Sequence, residues 1–321
     1  MKTLYSGLVG DIGGTNARLA LVDTEGHIRH PKTYAAADFS TVTEVIGAYL
    51  ESTVGRKRPP RAAIAVAGPV VDGEIEFTNI DWRISEGELV GTFDFESARL
   101  LNDFAAQALA APLLPAENLR RIGPAVRGCD AAPLLVVGAG TGFGVSCLAR
   151  SERGDIAIAC EGGHATFAPS DDMDCEIAQI FRRNRSRVSV ERVLSGQGLF
   201  ELYLAMAEIA GIPAQHLDER TMTAAAQAGD TLAQDTVTRF CGILGSVAGD
   251  IALTTGARGG VYISGGIAPK LIDTLMAGEF RRRFEDKGRL AAYMAEIPTA
   301  LIVHPYAALL GAARTLAWDP Q

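Results

Sequence analysis

Apolar and polar positions along this chain switch between the period of a strand and the period of a helix. Residues 4–10 and 17–22 are two strand-forming runs, split by a turn carrying Asp11, Gly13, Gly14, Thr15 and Asn16. Residues 41–54 place Val42, Val45, Ile46 and Leu50 on one side of an amphipathic helix. Residues 62–67, AAIAVA, form a short buried strand closed by Gly68 and Pro69. The stretch VVDGEIEFTN predicts a hairpin turning at Asp72-Gly73. ARLLNDFAAQALAA then reads as a strand edge running into a helix.

Residues 134–149, LLVVGAGTGFGVSCLA, repeat the opening pattern of strand, glycine-threonine turn and strand, about 127 residues further on. Such a repeat predicts two related halves rather than a short-period solenoid. Residues 191–210 and 232–254 are rich in alanine and leucine and favour helix. GGVYISGG, at 259–266, is a strand ending on two glycines, with a helix expected after Pro269. Residues 306–318 read as a last helix.

With 321 residues the chain is long enough for a sizeable core and two domains. Its 48% hydrophobic and 21% charged residues are those of an ordinary water-soluble protein. The net charge of −8 leaves no basic footprint for nucleic acid. Arg182, Arg183, Arg185 and Arg187 form one local basic run, read as a solvated face. The five cysteines lack a C-x-x-C pair, which predicts reduced thiols in a cytoplasmic protein rather than a disulfide framework or zinc site. The first apolar stretch is broken by Asp11, too early for a signal peptide, and no stretch reads as a membrane span.

The glycine turns carry the first candidate chemistry. Glycine lets backbone N–H groups crowd together, and such clusters bind anions. Asp11, at the strand end, suits a hydrated Mg²⁺ between phosphates, or else it caps its own turn. The second turn, Gly138 to Gly142, would grip a polyphosphate from the other side. Neither turn is a P-loop, because the chain has no Gly-Lys pair, and Phe143 stands where G-x-G-x-x-G needs its last glycine. Ser264-Gly265-Gly266 is bare enough for a base or ribose to lie close. Asp103 follows Asn102 where a strand gives way to a helix, so either residue is a helix cap, or Asp103 is a base for a hydroxyl proton. Glu161, His164 and Glu191 offer the mixed donors and acceptors that a neutral polyol needs.

In order, GDIGGTNARLAL, LLNDFAAQALA, GAGTGFGV, EGGHATFAP, ERVLSGQGLFELY and GGVYISGGIAPK resemble the motifs of bacterial glucokinases. The resemblance runs on through FEDKGR and IPTALIVHPYAALLGAA, covering nearly the whole chain. It implies an α/β chain with the two-lobed actin-like (ribonuclease H-like) sugar kinase fold, its mixed sheets flanked by helices. Residues 1–111 plus 305–321 would form the smaller domain and 112–304 the larger, with the active-site cleft between them. It also implies ATP, Mg²⁺ and glucose as ligands and a homodimer as the assembly.

Residue by residue, the resemblance makes Asp11, Gly13, Gly14, Thr15 and Asn16 one phosphate segment, with Asp11 reaching the metal through water. Gly140, Thr141 and Gly142 form the other, and Gly265 and Gly266 belong to the adenosine segment. Asp103 is the expected base, and Asn79, Asn102, Glu161, His164 and Glu191 the sugar ligands beside it. A related group of sugar kinases and repressors carries a cysteine-rich zinc motif after the Glu-x-x-His element. Here that stretch, ATFAPSDDMDCEIAQ, has one cysteine, which places the chain with the zinc-free group. No helix-turn-helix precedes residue 7, so a repressor role is not expected. A kinase for another hexose and a non-catalytic sugar or nucleotide sensor are the alternatives. The glycine turns alone leave the donor open among ATP, ADP and polyphosphate.

Overall fold

Each of the two glycine-threonine turns found in the sequence joins two antiparallel strands of a mixed β-sheet, and each sheet belongs to its own unit. The computed structural model describes residues 5–77, 80–214 and 219–316. The chain divides into one unit of Met1–Leu114 with His304–Gln321 and another of Pro115–Val303.

The first unit opens with β1 (Tyr5–Ile12), β2 (Asn16–Asp23) and β3 (Ile28–Ala35). Helix α1 (Val42–Thr53) crosses over to β4 (Arg61–Val66). A short pair, β5 (Glu74–Glu76) and β6 (Arg83–Ser85), precedes α2 (Glu86–Phe93), β7 (Ser97–Asn102) and α3 (Asp103–Ala110). The sheet order is β3-β2-β1-β4-β7, antiparallel through β1 and parallel from β1 to β7. Its central strands are buried on both faces, which is why they read as continuous apolar runs rather than alternating ones. Leu8, Ile12, Ile64 and Val66 pack with Ile46, Tyr49 and Leu50 of α1. On the other face, Val9, Ala20 and Ala63 pack with Leu309, Ala312 and Leu316 of the C-terminal helix Ala307–Leu316. That helix also lies so close to α3 that a Cβ on Gly311 would collide with the carbonyl of Ala106.

The second unit contains β8 (Leu119–Ile122), β9 (Leu134–Ala139), β10 (Phe143–Ala149) and β11 (Ile156–Cys160). Helices α4 (Asp172–Arg182), α5 (Val190–Val193), α6 (Gly196–Ala210), α7 (Glu219–Gln227) and α8 (Thr231–Thr255) follow. Strand β12 (Gly260–Ser264), helices α9 (Ile272–Met276), α10 (Glu279–Glu285) and α11 (Ala291–Ala295), and β13 (Thr299–Ile302) complete it. The order β11-β10-β9-β12-β13-β8 repeats the first sheet's plan and adds β8 at the edge. Helix α8 is long and apolar enough to cross a membrane, but 72% of its apolar window is buried inside the protein. It packs closely on α10, where a Cβ on Gly245 would collide with the carbonyl of Phe280. Arg283 of α10 is buried with Asp174 of α4 and also donates to Ser170 and to Ser246 of α8, so its charge is both paired and hydrogen-bonded.

Two readings of the sequence need correction. The helix expected over 191–210 is two helices: α5 ends at Val193, and Ser195 starts α6 by accepting the amide of Gly198 at 3.0 Å. The cap satisfies an amide that a new helix start leaves unpaired. The Asp72-Gly73 turn forms with φ of 51° and 74°, and Val71 pairs with Glu74. The partner of β5, however, is β6, not the residues before the turn.

Candidate active site

In the first unit, the carboxyl ends of the parallel strands β1, β4 and β7 lie side by side. Ile12 is in register with Val66, and Val66 with Asn102. This is the end of an open α/β sheet where loops and helix starts gather polar groups. Asn102 is the N-cap of α3: its side-chain oxygen accepts the amides of Phe104 and Ala105 at 3.0 and 3.1 Å. Its Nδ2 donates to the carbonyl of Gly68 at 3.2 Å. With the cap taken by Asn102, Asp103 becomes the first residue of α3, and its Oδ1 accepts the Phe104 amide at 2.9 Å.

The β1–β2 turn is closed by Gly13 N–H donating to Asn16 O at 2.9 Å. Its flanks are tied down too: Ala36 donates to Thr15 O and Ala67 to Ile12 O. Asp11 faces Arg18 across the ladder, and Arg18 Nη1 donates to Asp11 Oδ2 at 2.9 Å. Burial pushes the Asp11 carboxyl above its ordinary value, while the Arg18 charge pulls the other way. Arg18 escaped the sequence reading. Its signal was its place seven residues from Asp11, opposite it in the hairpin. Asn79 lies outside the described residues.

In the second unit, the β9–β10 turn and the end of β12 lie together. Ser264 is in register with Gly138, and Ile267 donates to Ala139 O at 3.2 Å. The turn is closed by Gly140 N–H donating to Gly142 O at 2.8 Å, and Gly196 at the start of α6 donates to Gly140 O at 2.9 Å. The glycines here are of two kinds. Gly138 and Gly265 are required by the fold: a Cβ on either would collide with the opposing backbone, and Gly265 has φ of 86°. Gly140 and Gly266 are not. A Cβ on Gly140 would find its nearest neighbour at 3.9 Å, and one on Gly266 would find none within 4 Å. Gly13 in the first unit is equally open, at 3.9 Å.

Glu161, His164 and Glu191 are also brought together in this unit. Glu161 precedes a single tight turn, Gly162–His164, whose Gly163 sits against the Phe143 carbonyl. The chain after His164 pairs with the start of α5: Val190 donates to Ala165 O at 2.9 Å and Phe167 to Val188 O at 3.0 Å. Side chains of Glu161 and His164 stand 3.9 Å apart and are 59% and 58% exposed, so both are open to a ligand. Arg187, read from sequence as part of a solvated run, donates to His164 O at 2.8 Å. Glu191 Oε2 accepts the Phe143 amide at 2.9 Å.

The glucokinase family model matches residues 8–318. A glucokinase of Caulobacter sp. (strain K31) is 47% identical over 322 residues, covering 99% of this chain and 97% of its own. One from Caulobacter vibrioides (strain NA1000 / CB15N) is 49% identical, covering 97% and 95%. The crystal structure of a glucokinase from an Antarctic psychrotroph superposes with a TM-score of 0.87 at 38% identity, covering 97% and 98%.

Proposed function

The chain belongs to the glucokinase family, and from that premise we propose that it transfers the γ-phosphoryl group of ATP to O6 of glucose. The observation that carries the mechanism is the division of labour at the start of α3. Asn102 is the N-cap, and Asp103, whose Oδ1 shares the Phe104 amide, stands beside it as the carboxylate of the first helical residue. Asp103 accepts the O6 proton as that oxygen attacks the γ-phosphorus and the bond to the ADP oxygen breaks. Asn102 holds Asp103 in place and can offer its remaining Nδ2 hydrogen to the sugar. Glu161, His164 and Glu191 take the other hydroxyls.

The phosphates are received by the two glycine turns. Gly13, Gly140 and Gly266 have space where a side chain would stand, and this supports a close approach of ligand to backbone. Asp11 fits the role of an outer ligand to hydrated Mg²⁺, because Arg18 occupies only Oδ2. When bound, Mg²⁺ supplies neutralisation of charge on the phosphate oxygens. We also propose a cytoplasmic homodimer, which the free state of all five cysteines supports as to compartment.

A kinetic panel crossing glucose, mannose and fructose with ATP, ADP and polyphosphate tests the reading. Glucose with ATP is expected to give the highest kcat/KM. A different hexose in first place would move the substrate. Binding of glucose without turnover of any pair would make the chain a sensor.

A further inference from the structure

Phe143 is the first residue after the phosphate turn Gly140–Gly142, and residues of the sugar-reading segment engage both of its backbone groups. Its N–H donates to Glu191 Oε2 at 2.9 Å, and its carbonyl lies against Gly163 of the Glu161–His164 turn. Glu191 in turn is fixed from behind. Its helix starts with Val190 donating to Ala165 O, one residue past His164. A Cβ on Gly142 would run into the Glu191 carboxylate, so a methyl group there would have to displace this side chain.

We propose that Glu191 is a positioning residue for the nucleotide as well as a ligand for the sugar. Oε2 braces the phosphate turn through the Phe143 amide, and Oε1 is left to meet a sugar hydroxyl. The inference rests on the proposed kinase function for its two ligands. Its consequence is that the sugar and nucleotide sites share one carboxylate, so what happens at one oxygen is felt at the other. Coupling of this kind is reciprocal for binding.

The test separates the two oxygens. Glu191→Gln keeps an acceptor for Phe143 N–H through its amide oxygen but removes the charge. Glu191→Ala removes both. Dissociation constants for glucose, and for the ATP analogue AMPPNP with Mg²⁺ and no sugar, are measured by calorimetry. Glucose is expected to bind at least about tenfold more weakly to both variants, because each loses a charged partner of the hydroxyl. AMPPNP is expected to weaken about tenfold in the alanine variant and to stay within about twofold in the glutamine variant. Unchanged AMPPNP binding to Glu191→Ala, or no recovery in Glu191→Gln, overturns the proposal.

Gly142→Ala adds an independent arm, since it displaces the carboxylate without changing its chemistry. It is expected to weaken glucose as well as AMPPNP, and unaltered glucose affinity counts against the bracing. Hydrogen exchange at the Phe143 amide is read without any ligand: slow in the native chain, fast in Glu191→Ala. If the native chain binds neither ligand, the functional reading fails while this exchange measurement still decides the bracing.

Discussion

In the first unit the hairpin β1–β2 carries its own charge. Asp11 lies within the strand, and Arg18 reaches it across the ladder. In the second unit the β9–β10 turn carries none, and Glu191 comes from a separate helix to hold it. The sheet plans are the same from the hairpin through two parallel strands. The difference lies in what stands at the strand ends: Asp11, Asn102 and Asp103 in the first unit, bare backbone at Gly140 and Gly266 in the second. A duplicated scaffold thus assigns charge chemistry to one copy and close backbone approach to the other. Substitutions at these ends separate the two roles.

The largest effect is expected at Asp103. Asp103→Asn keeps the shape and loses the proton acceptor, so kcat should fall by roughly 10²-fold or more, with glucose affinity within about tenfold. Steady-state rates and glucose titration measure both. Near-native turnover would reduce Asp103 to a helix-start residue.

Next come Glu161→Gln and His164→Ala. Each variant loses a hydrogen-bond partner of a sugar hydroxyl, so KM for glucose should rise roughly tenfold. KM for ATP at saturating glucose should hold. The ratio of kcat/KM for glucose over mannose should narrow, and an unaltered ratio would mean that neither side chain reads the ring.

The glycines sharpen the comparison further. Gly13→Ala, Gly140→Ala and Gly266→Ala meet nothing closer than 3.9 Å within the protein. Each should melt within about 2 °C of the native chain while raising KM for ATP roughly fivefold. Gly138→Ala should do the reverse and lower the melting temperature by several degrees, because its Cβ strikes the Ser264 carbonyl. Calorimetric melts beside ATP kinetics distinguish the two groups.

The smallest effect concerns Asp11. Its carboxyl is held above the ordinary value, first by burial, so ionising it costs stability once the pH passes the unfolded value of 3.8. That loss is complete above the folded-state value. Asp11→Asn should therefore melt about 1–2 °C higher at pH 7 and lose its advantage as pH falls toward 4. It should also need more Mg²⁺ for turnover. A lower melting temperature at pH 7 would mean that pairing with Arg18 outweighs the cost of burial.

Central elements were legible in the sequence and edges were not. β1, β2, β4 and β9 announced themselves because both faces of each are buried. Strand β3, with Arg29, His30, Pro31 and Lys32, carries almost no apolar signal, since it lies at the sheet edge with its side chains in water. β8, with Arg120 and Arg121, is an edge of the same kind, whereas β11, at the other edge, is apolar throughout and leaves Ile156 and Ile158 exposed. At the site, residue types and spacing pointed to the turns and to Asp103. The partners could not be read, because Arg18 on Asp11, Gly68 on Asn102 and Phe143 on Glu191 depend on register or on contacts between distant segments. The broken helix at Leu194-Ser195 was written in its cap residue, but the alanine- and leucine-rich flanks masked it.

The docking of Ala307–Leu316 onto the first sheet sets an order of events during synthesis. The strands of that sheet leave the ribosome early, yet Val9, Ala20 and Ala63 stay uncovered until Leu309, Ala312 and Leu316 emerge. The second unit is continuous in sequence and is complete some residues sooner. On the ribosome, therefore, the second unit should acquire its native structure first, while the first waits with an apolar face exposed to chaperones. Stalled nascent chains with and without residues 307–316 outside the exit tunnel, probed by limited proteolysis, should show residues 115–303 protected in both and residues 5–114 only in the longer one.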